Sequence, residues 1–237
     1  MEFLIKIKDK TFYSIEDFAR NIFLCPDESF AMIKSQKFLK ILYKYDEKMY
    51  NDIVVALKTP FQQDELLFRI QYILNPLMGI RHHGYLFEDF ISLGKQIIAY
   101  GPSIDIYLKD FLKYRLLTYY MVKTRYDEKE PLLYKVVVKL EEEFQINENR
   151  AYFKLGFLLS DSKAISYNNK KFSNPKEFLS YVMLPVNITG FGKSFIQSQY
   201  VFAWLDYLGY KKEITLFENL VDSVTKKERE NYNIRKI

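Results

Sequence analysis

The chain is poor in the residues that build redox and metal centres. Its 237 residues include one cysteine and two histidines. A single cysteine, Cys25, excludes an internal disulfide and a multi-cysteine zinc site, and it agrees with a reducing compartment. Pro26 follows it, and no histidine lies nearby in the sequence to activate the thiol, so we interpret Cys25 as a buried or idle side chain. We predict no metal site and no cofactor.

Long apolar runs are also absent. No stretch approaches the roughly 18 apolar residues that a membrane span needs. The first residues, Met1–Lys6, lack the long apolar segment of a signal peptide. With eight glycines and seven prolines, no linker rich in either residue interrupts the chain. We therefore expect a cytoplasmic protein with no membrane partner. The 49% of hydrophobic and 17% of aromatic residues are ample for a packed core.

The sequence contains internal repeats. Residues 66–90 align without a gap with residues 151–175, and a third copy opens the chain. The second and third copies are shifted by 85 residues, as in the pairs Phe68 and Phe153, and Phe87 and Phe172. The first and second copies are shifted by 75 residues, as in Phe12 and Phe87. Self-similarity at such periods is typical of stacked repeat architectures. We predict repeat unit 1 at residues 1–75, unit 2 at 76–160, a truncated unit 3 at 161–225, and a polar C-terminal tail at 226–237.

Each repeat unit is predicted to begin with a β-hairpin. A short apolar strand leads into a two-residue turn, and the return strand ends in phenylalanine. The first strands are Ile5–Ile7, Ile80–His82 and Ile165–Tyr167, and the turns are Lys8–Asp9, His83–Gly84 and Asn168–Asn169. Asp, Gly and Asn favour the positive φ that primed turns require. Two residues after each phenylalanine stand the helix-capping residues Ser14, Asp89 and Asn174, which predict the first helix of each unit.

Apolar stripes at spacings of three and four residues predict two or three further helices in each unit. Residues 66–74 and 152–159 are almost entirely apolar, so these helices should be the most buried. We predict that Trp204 lies in the core and that the run Glu141–Glu143 lies on a solvated helix face. The predicted fold class is mainly α with small β-hairpins, in which three tandem hairpin-plus-helices repeats stack as a helical-repeat array.

Two motifs resemble functional sites but lack their context. Residues 189–194, Thr-Gly-Phe-Gly-Lys-Ser, end like a phosphate-binding loop, yet Asn187 stands where that loop requires its first glycine and no strand precedes it. A nucleotide-dependent enzyme that uses Lys193 is therefore the weakest alternative. Adjacent residues of a strand point to opposite faces, so we expect His82 and His83 to diverge and His83 to lie at a surface hairpin tip. No catalytic constellation is visible, and we predict a protein that is not an enzyme.

The positive charge is concentrated in the last third of the chain. Residues 161–237 contain 12 Lys and Arg against 8 Asp and Glu, which accounts for +4 of the net charge of +5. A solvated face is the usual explanation, and a basic patch for nucleic acid or an acidic protein is the functional one. The candidate lysines are Lys163, Lys170, Lys171, Lys176 and Lys193.

Three segments depart from the repeat, and each precedes the second helix of its unit. They are residues 25–30, 100–105 and 184–193. Loops that line up on one edge of a repeat array form a binding face, and exposed apolar or aromatic side chains dominate such faces. The candidate anchors are Tyr100, Ile104, Ile188 and Phe191.

Two functions stay open at this point. The first is a non-catalytic protein-interaction module, meaning a scaffold, regulator or inhibitor of a larger partner, which the repeats and the lack of a catalytic constellation favour. The alternative is a nucleic-acid-binding accessory protein that uses the basic third unit and stacks bases on its many aromatic side chains. Abundant Lys, Ile, Asn, Phe and Tyr are typical of bacterial or phage proteins from AT-rich genomes.

Overall fold

The protein is described by a computed structural model, which covers residues 4–184, 187, 194–195 and 197–234, with side chains as far as residue 226. Its packing divides the chain into two compact units. Compact unit 1 consists of Met1–Asp89 and Ile106–Glu141, and compact unit 2 consists of Phe90–Asp105 and Glu142–Ile237. This division follows backbone contacts, and the repeat limits read from the sequence remain a prediction.

The described residues are mainly helical, with three small hairpins. The strands are β1 (Ile5–Ile7), β2 (Lys10–Phe12), β3 (Ile80–His82), β4 (Tyr85–Phe87), β5 (Ile165–Tyr167) and β6 (Lys170–Phe172). The helices with described limits are α1 (Ile15–Asn21), α2 (Pro26–Lys34), α3 (Gln36–Tyr45), α4 (Glu47–Lys58), α5 (Gln63–Leu74), α6 (Phe90–Ile98), α7 (Ile106–Lys113), α8 (Leu116–Lys123), α9 (Tyr126–Lys129), α10 (Pro131–Phe144), α11 (Glu148–Ser160), α12 (Pro175–Val182), α13 (Gln199–Tyr207) and α14 (Lys211–Ile234). A 3₁₀ turn, Ile22–Leu24, follows α1.

The three predicted hairpins are present in the predicted register. Each is a separate two-stranded antiparallel sheet, in which the first residue of the hairpin faces the phenylalanine of the return strand: Ile5 with Phe12, Ile80 with Phe87, and Ile165 with Phe172. Both turn residues have positive φ in the second and third hairpins, as primed turns require. In the first hairpin only Lys8 has positive φ, at 53°, and its ammonium group binds Glu28 of α2 at 2.7 Å.

The predicted caps begin the first helix after each hairpin. The Ser14 hydroxyl accepts the backbone N–H of Asp17 at 3.0 Å at the start of α1. The Asn174 side chain accepts the N–H of Lys176 at 3.0 Å at the start of α12. Helix α6 begins directly after Asp89. Ser14 and Asn174 each bond a backbone donor that a helix start leaves without an intrahelical partner. Asp89 stands at the equivalent position before α6.

Helix α5 forms the centre of compact unit 1. It packs against α1, α2, α4 and α8. Residues 66–74 are apolar except for Arg69 and Gln71, and the prediction that this stretch is deeply buried is confirmed. Its side chains with at most 4% exposure include Leu66, Leu67, Phe68, Ile70, Tyr72 and Leu74.

Helix α11 has the same role in compact unit 2, where it packs against α6 and α13. Glycine permits the close approach to α6, since a Cβ atom on Gly156 would lie 2.6 Å from Cγ2 of Ile97. The prediction that Trp204 belongs to the core is confirmed, because this α13 side chain is fully buried. Its indole N–H donates to the carbonyl of Lys163 at 3.2 Å, which satisfies the one polar group of the ring.

The structure corrects two expectations. The segment 25–30 is not a loop, because α2 begins at Pro26, where the missing N–H of proline costs no hydrogen bond. Glu141 is buried rather than solvated, whereas Glu142 is exposed. Helix α14 extends into residues 226–234 of the predicted polar tail, and the tail boundary itself remains a prediction.

None of the helices in the described part of the chain combines the length and the apolar character that crossing a bilayer requires.

Candidate functional site

Helices α3 and α4 border a groove on the surface of compact unit 1. They are joined directly at Asp46, whose carboxylate accepts the N–H of Met49 at 2.9 Å and so begins α4. Phe38 and Leu42 are the fully buried side chains of α3, Leu39 and Ile41 are partly buried, and the other side chains of this helix are exposed. The groove has a volume of about 390 Å³ and is lined by Gln36, Leu39, Lys40, Tyr43, Lys44 and Tyr50.

Aromatic rings form part of this lining. The rings of Tyr43 and Tyr50 meet edge to face, with their centroids 5.2 Å apart. Tyr43 is 53% exposed, whereas an aromatic ring of this size stabilises a fold or an interface when it is buried. Tyrosine is enriched at interface hot spots because it supplies a large contact area and loses little conformational entropy.

The α3 side of the groove is basic. Helix α3 contains Lys37, Lys40 and Lys44 and no acidic residue. Their spacing of three and four residues places the three lysines on one side of the helix. All three are exposed, and none forms an ion pair with a residue in the described ranges. The groove thus combines apolar rings with unpaired positive charge.

A second polar site lies at the tip of the second hairpin, also in compact unit 1. Strand β3 ends at His82, and His83 occupies the first turn position with φ 44°. The left-handed turn brings the two imidazole rings to a centroid distance of 4.5 Å and an interplanar angle of 79°. The expectation that the two side chains diverge is therefore wrong, because strand alternation ends at the turn.

His82 is a buried histidine with one nitrogen bonded and one without a partner. It is 1% exposed, and its Nε2 lies 3.0 Å from Oδ2 of Asp110 on α7. Its Nδ1 is buried and has no hydrogen-bond partner. Phe68 and Phe111 pack edge-on against the ring, each at 5.6 Å. Desolvation among these rings lowers the pKa of His82, and the hydrogen bond to Asp110 opposes that shift. The neutral imidazole that results keeps a lone pair on one nitrogen.

His83 is half-buried and held by its own neighbours. Its Nε2 lies 3.0 Å from Oδ2 of Asp64, but the two groups are not aligned for a hydrogen bond, and this nitrogen is also without a hydrogen-bond partner. The ring stacks on Tyr107 at 4.3 Å, and Phe23 covers it at 4.6 Å. His83 is at the hairpin turn as predicted, but packing restrains its side chain.

The two histidines and Asp110 form a compact set of donor groups. One nitrogen of each imidazole and one oxygen of Asp110 lie within 4.8 Å of one another. Both rings line a small cleft of about 130 Å³, whose other polar lining is Arg20, Asn21, Gln71 and Arg81. The arrangement can serve as a buried hydrogen bond that ties β3 to α7, or as a set of nitrogen and oxygen ligands.

The residues predicted as binding anchors are partly described. Tyr100 is 71% exposed, and Ile104 is half-buried, in compact unit 2. Ile188, Phe191 and Lys193 lie outside the described residues, as does most of the segment 189–194. Residues 25–30 and 100–105 belong to different compact units, and the shared binding edge remains a prediction.

The basic residues of the predicted third repeat unit are exposed. Lys163, Lys170, Lys171 and Lys176 all lie at the surface of compact unit 2. Lys170 forms an ion pair with Glu177 at 3.3 Å, and its ammonium group lies 5.1 Å from the centre of the Phe172 ring. This lysine is therefore partly neutralised within its own unit.

Sequence reasoning missed both the α3–α4 groove and the histidine cluster. The lysine spacing in α3 was a visible signal for a basic helix face, because no acidic residue occurs between Gln36 and Tyr45. No comparable signal existed for the cluster, since Asp110 lies 28 residues from His82. No family model, curated protein or solved structure matches the chain.

Proposed function

We propose that this protein is a non-catalytic interaction module that binds an acidic segment of a partner protein in the α3–α4 groove. The observation that carries the proposal is the combination of Tyr43 and Tyr50 with the unpaired Lys40 and Lys44 in one groove. Rings that lose water on binding supply affinity, and charge complementarity supplies specificity and a faster association.

The chemistry of the partner follows from the lining. An aliphatic or aromatic side chain fits against Leu39, Tyr43 and Tyr50, while flanking carboxylates pair with Lys40 and Lys44. An amphipathic acidic helix or an extended acidic peptide meets both requirements. Because the groove is formed by helices on a folded unit, it is largely preformed, which lowers the entropic cost of binding.

A protein partner is favoured over nucleic acid by the orientation of the rings. Single-stranded nucleic acid binds by stacking successive bases on open aromatic faces. Tyr43 and Tyr50 instead meet edge to face at 77°, so they do not form a continuous stacking surface. In the basic third repeat unit, the ion pair between Lys170 and Glu177 reduces the charge available for phosphate.

The wider organisation proposed from the sequence fits this role. Three hairpins that share one register support a tandem array of hairpin-plus-helices repeats, acting as a scaffold, regulator or inhibitor. A single cysteine is compatible with a cytoplasmic location.

The test compares captured proteins between matched baits. Three tagged baits are incubated with nuclease-treated native lysate: wild type, Lys40→Glu/Lys44→Glu and the control Lys6→Glu/Lys58→Glu. The proteins that each bait retains are quantified by mass spectrometry. All four lysines are exposed, so both double variants should fold alike. We expect wild type and the control to recover one protein in near-equimolar amount. The recovered amount of that protein should be at least tenfold lower with Lys40→Glu/Lys44→Glu.

Two results contradict the proposal. Equal recovery by all three baits removes the groove as the binding surface. The second result is that RNA or DNA co-purifies when nuclease is omitted and is lost on charge reversal at Lys170 and Lys171. That result establishes the nucleic-acid-binding alternative instead.

A further inference from the structure

The structure assigns a binding site for a divalent first-row transition-metal ion, such as Zn²⁺, to His82, His83 and Asp110. This site lies apart from the lining of the α3–α4 groove and adds a property that an interaction module does not require. It also revises the expectation of no metal site, which rested partly on diverging histidine side chains.

The donor types match this class of ion. Imidazole nitrogen is a common ligand of zinc, copper, iron and nickel, and a carboxylate completes sets of two histidines and one acid. Harder ions such as Mg²⁺ prefer oxygen ligands and retain their water. Two imidazoles and one carboxylate within 4.8 Å therefore favour a transition metal.

The distances are compatible with closure around an ion. Zinc–nitrogen bonds of about 2.0–2.1 Å place neighbouring ligand atoms roughly 3.3 Å apart in a tetrahedral site. His82 Nε2 and Asp110 Oδ2 are already 3.0 Å apart. The longest separation in the set, at most 4.8 Å, exceeds this value by roughly 1.5 Å, so the ligand atoms must move together by about that distance when the ion binds.

A buried nitrogen atom of His83 gives an independent reason for a ligand. His83 Nε2 is inaccessible to solvent and lacks a hydrogen-bond partner. His82 Nδ1 is also without a partner, but His82 can offer only one nitrogen to the ion, and its Nε2 is the one beside Asp110. Buried polar atoms in folded proteins are almost always satisfied, and exceptions frequently mark a bound ion or water. Among the described residues five side chains carry such an atom, and three of them, His82, His83 and Arg81, line the cleft of this cluster.

Neighbouring groups suit a metal centre. The Asp64 carboxylate, 3.0 Å from His83 Nε2, is placed to orient that ring or to serve as a further ligand. Asp64 and Asp110 supply two negative charges for the ion, against the guanidinium groups of Arg20 and Arg81 in the lining of the cleft. The cleft that both imidazoles line provides a path from solvent.

Direct binding measurements on the full chain test this assignment. The chain has two histidines and one cysteine, so background binding is low if the affinity tag contains no histidine. The protein is dialysed against chelator, and Zn²⁺ and Mg²⁺ are titrated by calorimetry. We expect one Zn²⁺ per chain, no competition from Mg²⁺, and a rise in melting temperature with Zn²⁺ concentration.

The variants are chosen to preserve the fold. Asparagine tolerates positive φ, so His83→Asn keeps the hairpin turn, and Asp110→Asn keeps a polar partner for His82. We expect each to weaken Zn²⁺ binding at least tenfold, while the control Cys25→Ser binds like wild type. Circular dichroism without metal verifies that the variants are folded.

The assignment is overturned if folded wild type fails to bind one equivalent of Zn²⁺. It is equally overturned if His83→Asn and Asp110→Asn bind Zn²⁺ as tightly as wild type.

Discussion

Replacement of Glu141 by glutamine should increase the stability of the protein above neutral pH. Glu141 lies on α10 and is 2% exposed. Its two carboxylate oxygens accept hydrogen bonds from the backbone N–H of Thr118 at 3.2 Å and from the Thr118 hydroxyl at 2.9 Å. Burial raises the pKa of Glu141 from 4.5 to about 7, and the hydrogen bonds from Thr118 oppose that shift.

The sign of the pH dependence follows from linkage. The folded state has the higher pKa, so it binds the Glu141 proton more tightly than the unfolded state does. The stabilisation is fully present below pH 4.5 and is lost as the pH rises through about 7. A difference of about 2.5 pKa units corresponds to roughly 3 kcal/mol of unfolding free energy.

Glutamine imitates the protonated carboxyl group at every pH. Its carbonyl oxygen accepts the N–H of Thr118, and its amide donates to the Thr118 hydroxyl. That hydroxyl then donates to the carbonyl oxygen of Arg115, which lies 3.2 Å away. Glu141→Gln thus keeps a bonded neutral group where wild type must bury a charge.

The assay is urea unfolding followed by far-UV circular dichroism from about pH 4.5 to about pH 8. We expect the advantage of Glu141→Gln over wild type to grow by roughly 3 kcal/mol across this range. The control Glu142→Gln changes an exposed neighbour and should run parallel to wild type. Parallel curves for Glu141→Gln and wild type refute the reasoning, because they show that Glu141 titrates alike in both states.

Two further predictions concern local structure. Gly94→Ala places a Cβ atom against the backbone nitrogen of Ser160 and 2.7 Å from Cβ of Leu159. We expect the free energy of unfolding to fall by about 2 kcal/mol because this contact is too close. An unchanged melting temperature would contradict this close approach. Ser14→Ala removes the acceptor for the N–H of Asp17 and should lower the free energy of unfolding in urea by about 1 kcal/mol. Ser14→Asp should retain most of the stability, because aspartate also caps helices. Equal losses in both variants argue against a capping role.

The local features of the fold were predictable because their causes lie within a few residues. The turn at Asn168–Asn169 and the cap at Ser14 each depend on the conformational preference of one or two side chains. The burial of α5 and α11 follows from their nearly continuous apolar stretches, residues 66–74 and 151–159, which leave little polar surface for water. These elements required no knowledge of the tertiary structure.

The start of α2 was missed because two local signals conflict. Cys25–Pro26 suggested a loop, since proline often ends a helix. Proline also fits the first position of a helix, and here the acidic residues Asp27 and Glu28 follow in the first turn, where the helix dipole favours them. The structure therefore shows a helix in a segment that the sequence assigned to a binding loop.

Short-range periodicity and turn chemistry specify the hairpins, the caps and the two buried helices, so these elements can be read from the residues alone. The environments of Glu141 and His83 depend on contacts between elements that are distant in the chain. The Thr118 partner of Glu141 lies 23 residues away, and Asp110 lies on a helix distant in sequence from the hairpin. A charged or titratable side chain acquires its burial and its partners from elements that pack together, and no local pattern of residues encodes that encounter.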